Sequence, residues 1–257
     1  MKLILSPAKS MSDEPTQPYP IEATSIPFEK ETLQLVKRLK QFSTQDIQDL
    51  MKVSEVIGEL NFRRYQKWSS LEKRPAGFAF QGDVYQGLDF NSLNNTELKR
   101  ADKVVRILSG IYGMIRPSTD IQNYRLEMGT RLEVDGEKGL YKFWGTKVAD
   151  LLLQELQYDK DKVLVNLASN EYSKVLNLKK FDFNVVEPAF LDEKNGSFKV
   201  MSFYAKRARG LMARFIIQNN LKKVEELAEF NLNGYQFDPE SSSGKDLIFK
   251  RFEVDRP

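Results

Sequence analysis

RILSGIYGMIRP, residues 106–117, sets two glycines three positions apart between apolar runs, with an arginine on each flank. The fold turns on how these residues are read. Upstream, Asn95-Thr-Glu-Leu98 opens a helix, and Leu98, Val104, Val105 and Leu108 lie on or near one face, so a helix is expected as far as Leu108. Gly110 then supplies a left-handed cap, Gly113 lets the backbone turn again, and Pro117 shortens a second helix that starts at Met114. On this reading the amides freed at 110–113 point at one phosphate oxygen, and Arg106 and Arg116 close on it. On the other reading the stretch is a tight corner inside a core, its glycines only relieving crowding. GxxG is a weak pattern, and the spacing leaves both open.

Outward from this stretch the chain alternates strand and helix signals. Residues 2–6 and 162–168 (KVLVNLA) are short apolar runs of the kind that form buried strands. Residues 184–191 and 197–204 flank Asn195-Gly196, a hairpin-turn step, and 246–252 reads as a last strand. Helices are expected over 29–42, from a Ser43–Asp46 cap into Ile47, over 54–68 with Val56, Ile57 and Leu60 inward, over 139–156, and over 205–219. Residues 12–28 hold four prolines and look like an extended connection. Residues 77–88 (GFAFQGDVYQGL) suggest a strand and turn, and 123–133 alternates as a strand does. No repeat or linker divides the 257 residues, so one mixed α/β domain over 1–257 is expected, a mixed sheet with surrounding helices.

Two absences bound the chemistry. The chain has no Cys and no His, which excludes disulfides, thiolate or Ser-His-Asp catalysis and His- or Cys-held zinc. A tight ferrous site is disfavoured for the same reason, so no metal and no cofactor is expected. The start, MKLILSPAKSM, carries an apolar run too short for a signal peptide, and no apolar stretch nears the ~20 residues of a membrane helix. A cytoplasmic protein with no membrane partner is the expectation.

With 39 basic and 36 acidic residues the net charge is only +3, so distribution matters more than total. From Ser197 to Phe215 there is no acidic residue, yet Lys199, Lys206, Arg207, Arg209 and Arg214 all fall there. The last four lie in one half of a helical wheel, opposite Ala208, Leu211, Met212 and Phe215. Such a face is either solvated and neutralised by distant carboxylates or built for phosphate. Lys9 follows the first strand, in a loop position suited to a cleft. Arg125, Glu127 and Arg131 would share one side of a strand, as a site or as an ion-pair ladder, the ladder being slightly preferred. Asn166, Ser169, Asn170 and Glu171 follow KVLVNLA, where α/β sites often form. Asp83, Glu127 and Glu171 are the candidate acid/base residues.

The blocks LILSPAKSM (3–11), FQGDVYQGL (80–88), ILSGIYGMIRP (107–117), YRLEMGTRL (124–132), VNLASNEY (165–172), SFYAKRARGLMARFII (202–217) and GYQFD (234–238) resemble the peroxide-stress protein YaaA family. The resemblance implies a cytoplasmic bacterial protein of the hydrogen-peroxide response, associated with limiting free iron, protecting DNA and recombination repair. It also implies binding of double-stranded and branched DNA through a basic cleft and a helix-hairpin-helix element, placed here at 98–121 around Gly110 and Gly113. The expected phosphate contacts are Lys9, Arg106, Gly110, Gly113, Arg116, Arg125, Lys206, Arg207, Arg209 and Arg214. The rival expectation is an enzyme acting on a nucleotide, nucleobase or nucleic acid through the three carboxylates.

Overall fold

In the computed structural model, which describes residues 1–14, 18–159 and 162–256, an eight-stranded mixed sheet forms the centre. Its strands are β1 (Lys2–Leu5), β2 (Val105–Ser109), β3 (Gly113–Ile115), β4 (Val163–Asn166), β5 (Asn184–Lys194), β6 (Ser197–Lys199), β7 (Gln236–Phe237) and β8 (Asp246–Arg251). They run in the order β7-β8-β5-β4-β1-β2-β3, with β6 folded back on β5. The middle five strands are parallel, whereas β7, β3 and β6 pair antiparallel. The apolar runs of β1 and β4 are unbroken because parallel strands are covered on both faces. Asn195-Gly196 makes the β5–β6 turn, both residues at positive φ. Residues 15–17 of the proline-rich connection lie outside the described residues.

The main helices are α1 (Glu29–Leu39), α2 (Thr44–Met51), α3 (Glu55–Gln66), α4 (Asp83–Leu88), α5 (Asn95–Val104), α6 (Lys147–Gln157) and α7 (Ser202–Asn219). The expected cap holds: Ser43 Oγ accepts from the Asp46 amide at 3.2 Å, and Asp46 accepts from the Ser43 amide at 2.8 Å. In α3 the inward face is displaced from the expected one. Val56 and Leu60 are exposed, while Asn61 and Tyr65 face the core and the Tyr65 hydroxyl donates to the Arg125 carbonyl. Residues 77–88 are mostly helical rather than strand and turn, in Ala76–Ala79 and α4. Residues 123–132 form no strand, and of the three charges expected on one side only Arg125 and Glu127 pair, at 3.1 Å.

The glycine stretch corrects the sequence reading most. α5 ends at Val104, and Val105 to Ser109 run as a buried strand beside β1, in register Leu3–Val105, Ile4–Arg106 and Leu5–Ile107. Residues 98–121 therefore hold a helix and a β-hairpin, Ile107 opposite Ile115 and Ser109 opposite Gly113, and not a helix-hairpin-helix. Gly113 sits at φ +71, where a β carbon would stand 2.8 Å from Phe28 and 2.9 Å from Trp144. The polar groups of the turn are used internally. Ser109 Oγ accepts from the Tyr112 amide at 3.0 Å, and the Gly110 carbonyl accepts from Trp144 Nε1 at 3.0 Å. Gly110 and Gly113 are buried, so the turn lies as a corner within the core.

Candidate functional site

Arg106 follows the hairpin inward, and Arg116 meets it at a shared carboxylate. Arg106 is buried at 1% exposure, its Nε donating to Glu155 and its Nη1 to the Asp102 and Val105 carbonyls at 2.9 and 2.6 Å. Arg116, partly exposed, reaches the other Glu155 oxygen at 3.3 Å and Asp102 at 3.9 Å. Both arginines are thus paired to carboxylates, Arg106 inside the core and Arg116 at its margin.

The polar residues at the strand ends do converge. β1, β2 and β4 are parallel, so Ser6, Ser109 and the 167–169 loop leave the sheet at one edge. Ser6 Oγ accepts from the Ser169 amide at 2.9 Å, joining the β1 and β4 loops. Lys9 and Arg125 grip one carboxylate, each 3.1 Å from a different oxygen of Glu127. The Arg125 Nε is buried without a hydrogen-bond partner. Glu171 accepts from the Gly129 amide at 2.9 Å and so pins the loop that carries Glu127. Tyr124 hydrogen-bonds Ser109 at 2.6 Å, and Tyr85 donates to the Ser6 carbonyl at 3.0 Å. Burial pushes the Tyr172 hydroxyl well above its ordinary range, reinforced by Tyr124, Glu171 and Glu127. The cavity among Lys9, Arg125, Glu127 and Tyr172 measures about 10 Å³, room for a water and little more.

The third location is α7. Arg214 donates to the Leu88 and Asp89 carbonyls at 2.9 and 3.1 Å and lies 3.9 Å from the Asp89 carboxylate, capping the end of α4. Lys206 and Arg207 are exposed, and Arg209 is half-buried. None of these three meets a carboxylate or a hydrogen-bond acceptor among the described residues. Burial alone lowers the Arg209 guanidinium from its ordinary value, with no anion to offset it. Small residues set the crossing of α4 and α7. A β carbon on Gly210 would lie 1.9 Å from the Val84 carbonyl, and one on Gly87 2.2 Å from that of Arg207. A β carbon on Gly82, just before α4, would stand 3.5 Å from the Ala8 β carbon, so α4 links the Lys9 loop to α7.

The structure thus brings Lys9, Arg125, Glu127 and Glu171 to the sheet edge and leaves Lys206, Arg207 and Arg209 together on α7. Asp83 lies at the first turn of α4 and makes no ion pair or hydrogen bond with its carboxylate among the described residues, consistent with favourable charge at a helix start. Sequence reading missed Glu155, the partner of both hairpin arginines, and Phe203, which is 56% exposed. The signal for Phe203 was its place three and four residues before Lys206 and Arg207. No helix among the described residues is long and apolar enough to cross a membrane.

Comparison with known proteins agrees with the sequence blocks. A family model described as Peroxide stress protein YaaA matches residues 1–241. A UPF0246 protein of Aliivibrio fischeri (strain MJ11) is 46% identical over the whole of both chains. A UPF0246 protein of Marinomonas sp. (strain MWYL1) is 46% identical, covering 100% of this chain and 99% of the relative. One of Polynucleobacter asymbioticus is 45% identical over 98% of this chain and 99% of the relative. With a match over nearly its whole length, the chain belongs to the peroxide stress protein YaaA family.

Proposed function

We propose that this member of the peroxide-stress family binds the phosphate backbone of double-stranded and branched DNA through the outer face of α7. One observation carries the reading. Lys9, Arg106, Arg116, Arg125 and Arg214 each have a carboxylate within 4.0 Å, whereas Lys206, Arg207 and Arg209, within one turn of α7, have none among the described residues. Adjacent like charges repel, and an external polyanion relieves that repulsion. Such contacts hold the backbone without reading sequence. They also release condensed counterions, which gives a physical route to keeping iron off DNA in the cytoplasm. The test is binding to a duplex at several salt concentrations. The logarithm of affinity should fall by about 0.9 per decade of salt for each phosphate neutralised. Lys206→Glu with Arg207→Glu should flatten that slope and leave the fold intact. A flat slope for the parent protein, or unchanged binding by the double variant, would refute the reading.

A second reading, an enzyme acting on a nucleotide, nucleobase or nucleic acid, is favoured by the strand-end cluster, where Glu127 is held between Lys9 and Arg125. An Asp83→Asn, Glu127→Gln and Glu171→Gln panel separates the two. Loss of peroxide protection with DNA affinity intact selects catalysis.

A further inference from the structure

We propose that Phe203, with Arg207 and the cleft beside them, forms a stacking platform for an unpaired nucleobase. The protein would then hold single-stranded or frayed DNA through the base as well as the phosphate. The proposal rests on the phosphate-binding reading and adds to it a preference among nucleic-acid forms.

Phe203 lies in the first turn of α7 with over half of its surface open, unlike most of the chain's phenylalanines, which pack inside. Helical spacing sets Lys206 and Arg207 on its flank, one turn further on. The ring and the two ammonium and guanidinium heads therefore share one surface, in the order that a base and its own phosphate require. Beside them a cleft of about 150 Å³ is lined by Tyr204, Arg207, Leu211, Asn233 and Tyr235. The charge at its floor is already paired. Arg251 is sandwiched at 4.7 Å over Tyr204 and 4.4 Å over Tyr235, and its charge is met by Asp192 at 2.6 Å. Tyr235 donates to the same carboxylate at 2.7 Å. Arg207 is thus the cation in the cleft that has no anion. The side-chain amide of Asn233 hydrogen-bonds no described residue and gives the cleft a polar rim.

Charge decides the occupant. Val200 is exposed nearby, and an apolar patch of this kind also suits a protein partner. But the segment from Ser197 to Asn219 holds no acidic residue, and four of its cations, Lys199, Lys206, Arg207 and Arg209, meet no carboxylate among the described residues. An aromatic ring among unpaired cations matches a π face with a phosphate attached, the combination used to bind single strands without sequence preference. A paired base inside a duplex presents no open face to Phe203, so the stacking contact is confined to unpaired nucleotides.

The experiment measures anisotropy of a labelled thymidine oligonucleotide and of a labelled blunt duplex with the same number of phosphates. Phe203→Ala should weaken the single strand about fivefold or more, the effect of losing one stacked base, and leave the duplex within about twofold. Phe203→Trp should bind the single strand as well as the parent or better. Equal loss on both forms, or no loss on the single strand, overturns the platform while duplex binding still supports the phosphate reading. If the parent binds neither form at low salt, the phosphate reading falls and takes the platform with it. Light scattering supplies the remaining arm: a dimer that Phe203→Ala converts to monomer assigns the ring to a second copy and overturns the proposal. Unchanged melting of the variants shows that none of these outcomes is a folding defect.

Discussion

The hairpin arginines and the α7 cations look alike in the sequence and behave as opposites in the structure. Arg106 and Arg116 flank a glycine motif, yet both turn to one carboxylate, Glu155, which follows them by 49 and 39 residues. Lys206, Arg207 and Arg209 occupy an ordinary helix, yet they keep their charge unspent. The lesson is that a cation's availability is decided by where its carboxylate comes from. For Arg106 the carboxylate comes from α6, an element with no local relation to the hairpin.

The contrast is open to test, beginning where the effect is largest. Glu155→Ala leaves a buried guanidinium without its counter-charge and should destabilise the fold by about 3–5 kcal/mol, read by chemical denaturation. A change below about 1 kcal/mol would mean that Arg106 is solvated after all. Stability should also fall steeply at high pH. Burial holds Tyr65, Tyr85, Tyr112, Tyr124 and Tyr172 above the ordinary tyrosine value of 10.0. In that window the native state binds more protons than the unfolded chain. Their contribution is therefore complete below pH 10 and is lost as the pH climbs above it, which denaturation across an alkaline series would show.

Gly210→Ala comes next. The added carbon would overlap the Val84 carbonyl, and a cost of about 1–3 kcal/mol in thermal or chemical unfolding is expected. The smallest effect has the opposite sign. Arg209→Met removes a desolvated charge that has no partner and keeps the side-chain volume, so it should stabilise the isolated protein by on the order of 1 kcal/mol. It should at the same time weaken duplex binding. Loss of stability instead would place an unseen anion or carboxylate beside Arg209 and erase the distinction between the two groups.

Elements dictated by local chemistry were legible in the sequence. The unbroken apolar runs of β1 and β4, the Asn195-Gly196 turn and the long α7 needed no knowledge of distant partners. The strand at 105–109 was not legible, because Val104, Val105 and Leu108 also fit a helical face. Only pairing with β1, a hundred residues earlier, settles the choice. The face of α3 was misjudged for a related reason. Its inward side is chosen by Tyr65, whose hydroxyl is satisfied by the Arg125 carbonyl, and not by its aliphatic residues. Of the candidate site, the Lys9–Glu127–Arg125 grouping could be suspected from strand ends, and the α7 cations from their charge run. What could not be seen was which cations were already matched.

The glycine crossing of α4 on α7 carries a mechanical consequence. With backbone set against backbone and no side chain between them, the two helices have no soft layer in which to absorb a displacement. Beyond that crossing, Tyr85 of α4 is tied to the Ser6 carbonyl, where the β1 and β4 loops are fastened. The outer surface and the polar strand ends are therefore joined by one continuous run of packed backbone and hydrogen bonds.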